Sequence, residues 1–261
     1  MIDAWIHGKI RRSDSVYEDE VVSATIGHLQ YFPNKLRARI FKRLLNKGFV
    51  KLSDDFINAN SSKCIIELWP NIATEGRVEP DVIVTMTPDG AQDGARQVVI
   101  VIEAKWNSGQ GQGQLTEQWK SAKGKYKGSQ IYHLFLTRSY QYREEMLGSG
   151  THGELTEKQD HAESLASVTW SQFVQCIEEE AQTTKKTRTA NESGFRLWSE
   201  NISRLFSMIG SAPFQGFTGV KKNRPVNANA RWYFRSRLIR PPICGCRPGP
   251  KFFSYHEGNS K

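Results

Sequence analysis

Along the first fifty residues, apolar side chains recur at helical rather than strand spacing. In residues 15–32, Val21, Val22, Thr25, Ile26, Leu29 and Phe32 follow a 3.6-residue repeat, which predicts an amphipathic helix. Ser15 followed by Glu18 has the S-x-x-E form of a capping box, and Pro33 stops the helix. A second helix is predicted over 34–47, with Leu36, Ile40, Leu44 and Leu45 inward. Its other face carries Arg37, Arg39, Lys42, Arg43 and Lys47, and is expected to be solvated rather than ligand-binding.

The pattern then changes period. CIIELW (64–69), DVIVTM (81–86) and QVVIVIEAKW (97–106) read as strands. The last is apolar and β-branched enough to lie in the middle of a sheet. A loop over 107–113, a helix over 114–126 and a strand over 131–137 follow. A short strand near 166–169 and a helix over 171–181 close the body. Residues 182–192 are polar and basic and read as a linker, before another amphipathic helix over 194–209. Beyond 210 the chain is rich in Gly, Pro, Asn and Arg, with aromatics at Phe214, Phe217, Trp232, Tyr233 and Phe234. From Pro241 onward no periodicity remains, and poor order or late docking is expected there. The organisation expected is a body over 1–181, a linker over 182–192 and a basic extension over 193–261. No internal repeat is present.

The order helix–strand–strand–strand–helix–strand belongs to the α/β class. It does not suit a doubly wound nucleotide fold, which needs a helix between successive parallel strands. Gly109, Gly111 and Gly113 match neither G-x-x-x-x-G-K-[ST] nor G-x-G-x-x-G, so a turn before a helix is expected there.

Charge adds one contrast. Residues 183–261 hold 15 Lys/Arg against 3 Asp/Glu, a balance of +12, while the rest of the 261-residue chain stands at −3. A neutral-to-acidic body with a basic C-terminal part points to a polyanionic partner. No apolar run approaches the roughly 20 residues that cross a bilayer, and the first residues lack a signal-peptide core, so no membrane association and a cytoplasmic location are expected. Of the four cysteines, Cys64 and Cys176 read as buried small hydrophobes. Cys244 and Cys246 form a C-x-C pair without the second pair a zinc site needs. None of the six histidines has catalytic or metal spacing, and His133 is expected to be a sheet residue.

The chemistry concentrates in one hairpin. TPDGAQDGAR joins the strands 81–86 and 97–106 and contains two D-G turn signals. Facing residues of an antiparallel pair sum to a constant, and a hairpin centred on 92 sets Asp81 opposite Glu103. Glu103 and Lys105 are two apart and share a face. Two carboxylates and an ammonium ending an apolar strand are costly without partners. A divalent cation on Asp81 and Glu103 would supply one, because Mg²⁺ takes hard oxygen ligands and can activate water against a phosphodiester. Lys105 then orients the water, takes its proton or neutralises charge on the phosphate. From spacing alone, a salt bridge at a sheet edge stands equally beside this reading.

V-E-P-D-V-I-V (78–84) followed by V-I-V-I-E-A-K-W (99–106) resembles the signature of the PD-(D/E)XK nuclease superfamily, through Pro80-Asp81 and Glu103-Ala104-Lys105. Many members also carry an acidic residue on the first helix, where this chain has Glu18, Asp19 and Glu20. Many carry Q-x-x-x-Q on the helix after the lysine strand, here Gln114 and Gln118. The resemblance spans roughly residues 15–138. It implies a restriction-endonuclease-like core, αβββαβ, with a mixed central sheet flanked by helices and the basic extension added.

By that resemblance Asp81 and Glu103 ligate Mg²⁺ (or Mn²⁺), joined by the Ala104 carbonyl, and Lys105 assists the attacking water. Glu18 is the acidic residue chosen on the first helix, since it shares the face of Val22, Thr25 and Leu29. The competing reading is a carboxylate favoured by a helix N-terminus. Gln114 and Gln118, one turn apart, contact the DNA backbone or support Lys105, or else form an exposed polar face. Glu67 and Arg77 border the site, and Trp106 and Trp119 are expected in the core.

The function implied is a Mg²⁺-dependent endonuclease acting on DNA, double-stranded by preference, in phage defence, restriction or DNA processing. A homodimer or a partner ATPase or sensor subunit is implied with it. The alternative is a non-catalytic DNA-binding or scaffold subunit that retains the fold.

Overall fold

A computed structural model describes residues 17–52, 61–73, 76–88, 97–106, 111, 113–141, 155–183 and 190–210. The hairpin turn, the 107–110 loop, Ser15, the linker core, Cys244, Cys246 and the basic region past 210 lie outside the described residues.

Five strands form one mixed sheet in sequence order: β1 (Ser61–Leu68), β2 (Val82–Pro88), β3 (Val98–Ala104), β4 (Gln130–Thr137) and β5 (Leu165–Thr169). The first three pair antiparallel, and β3–β4 and β4–β5 pair parallel. Antiparallel neighbours can be joined by a short turn, whereas each parallel step needs a crossover. Helix α3 (Gln114–Lys125) provides the first crossover. Helix α4 (Leu155–Ser164) lies in the second and was not anticipated, because LTEKQDHAES has little apolar periodicity. Every residue of β3 is buried, as its unbroken β-branched run requires of a central strand.

The sheet faces differ. Val82, Val84, Ile100, Ile102, Leu134 and Leu136 meet α1 (Glu18–Ala24), a 3₁₀ helix (Gly27–Tyr31), α2 (Asn34–Lys47), α5 (Trp170–Thr183) and α6 (Ala190–Met208) in the larger core. Ile83, Val99, Val101 and Ile131 meet Trp119 and Ala122 of α3 in a smaller one. Alternation along β2 and β3 assigns successive residues to the two layers.

Three expectations change. The helix expected over 15–32 is two pieces. Its α-helical part ends at Ala24, where the Val21 carbonyl accepts both the Thr25 N–H at 3.0 Å and the Thr25 hydroxyl at 2.5 Å, a back-bond that weakens and bends a helix. Its N-cap is Tyr17, without a side-chain cap hydrogen bond, so Glu18 does not serve a capping box. The basic face of α2 is not merely solvated: Arg39 and Arg43 hold the buried Glu180 carboxylate at 2.6 and 2.9 Å, and Lys47 reaches Glu179 at 3.2 Å. Both carboxylates belong to α5, so the pairs clamp α2 to α5.

Helix α6, expected in the extension, buries Phe195, Ile202, Leu205 and Phe206 in the larger core. The described residues through Gly210 accordingly belong to one compact unit. An apolar face of that width needs a partner, and α5, with Phe32 and Trp106, supplies it. Cys64 and Cys176 are buried, and burial pushes both thiols up to about 12.

Candidate active site at the end of the central hairpin

Pro80, buried and without an N–H to place in the ladder, introduces β2. From Val82↔Ile102 to Met86↔Val98 the β2–β3 pairs sum to one constant, and the same constant sets Asp81 against Glu103. The Ala104 N–H donates to Asp81 Oδ2 at 2.7 Å, and the Trp69 N–H donates to the Asp81 carbonyl at 2.9 Å. Both ends of Asp81 are therefore fixed by backbone.

Glu103 is 1% exposed. Its Oε1 accepts from Gln114 Nε2 at 2.6 Å and faces Lys105 Nζ at 2.5 Å; its Oε2 accepts from Gln118 Nε2 at 2.6 Å. Gln114 opens α3, and Gln118 follows one turn later on the same face, so the two amides fork one carboxylate. This assigns both glutamines to Glu103 rather than to an exposed face, although Gln114 is only half-buried.

Glu18 arrives from the opposite layer. Its Oε2 accepts the Trp106 N–H at 2.7 Å and its Oε1 faces Lys105 Nζ at 3.3 Å. Lys105 thus stands between two carboxylates, and its backbone is held on both sides: its N–H donates to Leu136 at 2.7 Å, and its carbonyl accepts from Trp170 Nε1 at 3.2 Å. Glu18, Asp81, Glu103, Ala104, Lys105, Gln114 and Gln118 accordingly gather at the C-terminal end of β3. Arg77, by contrast, pairs with Glu79 at 2.8 Å on the exposed surface. Glu67 is exposed and makes no hydrogen bond to this set among the described residues. Trp106 and Trp119 are buried, as expected.

The charges act on one another. Burial, then the neighbouring Glu103 carboxylate, raises Asp81 to about 7, against the opposing Ala104 N–H and Lys105. Burial works to lower Lys105, but its hydrogen bond to Glu103 and the charges of Glu103, Glu18 and Asp81 outweigh it and hold the ammonium above its usual range. Lys105 is therefore a cation near neutral pH, suited to orienting groups and balancing negative charge rather than to taking a proton.

Sequence reasoning missed two residues. His133 on β4 hydrogen bonds through Nε2 to Gln118 Oε1 at 3.2 Å, and through Nδ1 to His161 Nε2 at 2.9 Å. His161, on α4, stacks on Trp119 with ring centroids 4.7 Å apart. Burial, and for His133 also the neighbouring His161, lowers both imidazoles, His161 to about 3. The available signal was register: His133 pairs with Val101, which shares a face with Glu103.

Among the described residues no group of three or more His, Cys, Asp or Glu is arranged to hold a metal ion. The donor set nevertheless suits Mg²⁺, which is bound through one or two carboxylates and keeps several waters. Half-buried Asp81 and buried Glu103 are adjacent and mutually repulsive, and a cation relieves that repulsion.

These shifts give a pH signature. A carboxyl whose folded pKa lies above its unfolded value contributes stability that is present below about 4 and is lost as pH rises through about 7. The lowered histidines act oppositely, losing stability as pH falls below about 6.5. In metal-free buffer, Asp81→Asn is therefore expected to melt higher than wild type at pH 8, with the gap closing toward pH 4. Calorimetric melting across that range checks it, and a gap independent of pH counts against the raised Asp81.

Among the described residues no helix is long and apolar enough to cross a membrane. No family model, curated protein or solved structure matches this chain.

Proposed function

We propose that the chain is a Mg²⁺-dependent endonuclease with a restriction-endonuclease-like core, hydrolysing DNA phosphodiesters. One observation carries this reading: two carboxylates and a lysine converge at one end of a buried central hairpin, tied there by Glu18, Gln114 and Gln118. Such a cluster costs free energy as pure structure, and phosphodiester chemistry gives it a use.

Asp81, Glu103 and the Ala104 carbonyl would hold the cation. Bound there, Mg²⁺ supplies Lewis acidity to the phosphodiester and to the attacking water. The chain's own part is positional. Asp81 is oriented by the Ala104 N–H, leaving its second oxygen free of hydrogen bonds among the described residues. The two glutamines fix the plane of the Glu103 carboxylate. The Lys105 ammonium, held by Glu18 and Glu103, offers its remaining N–H to a phosphate oxygen or to the attacking water as negative charge builds.

The basic residues of 183–261 would add phosphate contacts, with the salt dependence that counterion release imposes. Phage defence, restriction or DNA processing is the setting we favour, with a second copy or an ATPase or sensor subunit as partner. A second reading is a DNA-binding scaffold, favoured by the protein partners that both Glu103 oxygens already have.

The test incubates full-length protein with supercoiled plasmid and linear duplex, in Mg²⁺ and in EDTA, at several salt concentrations. Cleavage in Mg²⁺ that EDTA abolishes is expected. Salt-sensitive binding without cleavage transfers the case to the scaffold, and absence of both rejects the two readings together.

A further inference from the structure

Four hydrogen-bonding groups run in series from α4 to the end of β3: His161, His133, Gln118 and Glu103, with contacts of 2.9, 3.2 and 2.6 Å. All four are buried. His133 and His161 have no place in the cleavage chemistry outlined above, yet a buried polar pair is costly unless its hydrogen bonds are made.

Donor and acceptor accounting gives the series one direction. Gln118 turns its NH₂ toward Glu103 Oε2 at 2.6 Å, while the Lys105 ammonium faces the other oxygen of the same acceptor group. The Gln118 carbonyl oxygen then faces His133 Nε2, which must carry a hydrogen. A neutral His133 with Nε2–H has a bare Nδ1, and that nitrogen must accept from His161 Nε2–H. Each ring thus has a single tautomer consistent with its neighbours. Were His133 to carry its hydrogen on Nδ1 instead, its bare Nε2 would face the Gln118 oxygen and the amide would be driven to flip. The flip would turn an oxygen toward Glu103. The stack of His161 on Trp119, nearly parallel at 9°, sets the plane of the ring at the head of the series.

We propose that His133 and His161 are positioning residues of the candidate site, a directed pair that locks the Gln118 amide and through it the Glu103 carboxylate in the orientation a divalent cation requires. This rests on the nuclease reading for its purpose, but the hydrogen-bond direction is testable without it. Outer partners of a metal-binding carboxylate commonly change affinity by roughly 10–100-fold when removed.

The experiment uses the full chain with ¹⁵N-labelled histidine and measures ring-nitrogen shifts and two-bond couplings. Both His133 and His161 are expected as neutral Nε2–H tautomers between pH 6 and 8, by roughly the ordinary range of histidine titration. Titration with Mn²⁺ alone, followed by the resonance of the free ion, then compares His133→Leu, which removes the donor, with His133→Gln, which keeps an N–H near the Nε2 position. His133→Leu should bind Mn²⁺ roughly 10–100-fold more weakly, and His133→Gln should recover most of that loss. His161→Phe retains the stack on Trp119, removes only the hydrogen to His133, and should shift affinity in the same sense.

An Nδ1–H tautomer at His133 overturns the proposal. So does equal Mn²⁺ affinity in wild type and His133→Leu, or equal loss in the Leu and Gln variants, which marks a packing role. A wild type that binds no Mn²⁺ rejects the nuclease reading instead; the tautomers, with the Gln118 side-chain amide shift in His133→Leu, then decide the directed pair on their own.

Discussion

Lys105→Ala is expected to lower Mg²⁺-dependent cleavage by roughly a hundred- to a thousand-fold, with the loss in kcat rather than in KM. The expectation follows from where the ammonium is held. It lies 2.5 Å from Glu103 and 3.3 Å from Glu18, with its charge state secured by both. A cation already oriented before substrate arrives costs no reorganisation when charge develops on the phosphate. Removing it also leaves Glu18 and Glu103 without their shared counter-charge, so the variant should bind a divalent cation no more weakly than wild type. That combination separates loss of chemistry from loss of the metal. Lys105→Arg keeps the charge but spreads it over a planar fork, and should recover only part of the rate. Single-turnover cleavage beside Mn²⁺ titration measures both quantities. A Lys105→Ala enzyme within about threefold of wild type removes Lys105 from the reaction.

The largest stability effect is expected at Trp170, the first residue of α5. It is fully buried and packs against Trp106, Phe173 and Phe206, while its indole N–H donates to the Lys105 carbonyl at 3.2 Å. Trp170→Ala should destabilise the protein by roughly 3–5 kcal/mol, because neighbours drawn from α5, α6 and the segment after β3 cannot all collapse into the space. Trp170→Phe keeps much of that packing and leaves the Lys105 carbonyl unpaired, for a smaller loss of roughly 1–3 kcal/mol. Urea unfolding at constant pH measures both. The Phe variant carries the more specific information, since it should lower cleavage beyond what its stability loss accounts for. If it unfolds earlier but cleaves normally, the indole serves packing alone.

Much of the fold follows from local pattern. The β-branched run of β3 has to lie inside a sheet, and the two D-G signals at a fixed midpoint bring Asp81 opposite Glu103. Two-residue alternation alone sets Glu103 and Lys105 on one face. Helical spacing likewise set Gln114 beside Gln118 and singled out Glu18 from Asp19 and Glu20. These are short-range relations, in which backbone geometry converts sequence separation directly into direction.

What lay beyond local pattern depends on contacts between residues distant in the chain. Nothing near α2 announces that Arg39, Arg43 and Lys47 face carboxylates on α5, because ion pairing depends on how the two helices cross. Helix α6 reads as an appendage from the basic linker before it, yet its apolar face completes the larger core. His133 and His161 look inert in sequence, since imidazole pairing with an amide needs β4, α4 and α3 brought to within hydrogen-bond reach. The sequence by itself determined which residues end the hairpin and which face they share, since period and register are properties of the local backbone. Only the tertiary structure decided the partners and charge states of those residues, because burial and the approach of distant groups set both.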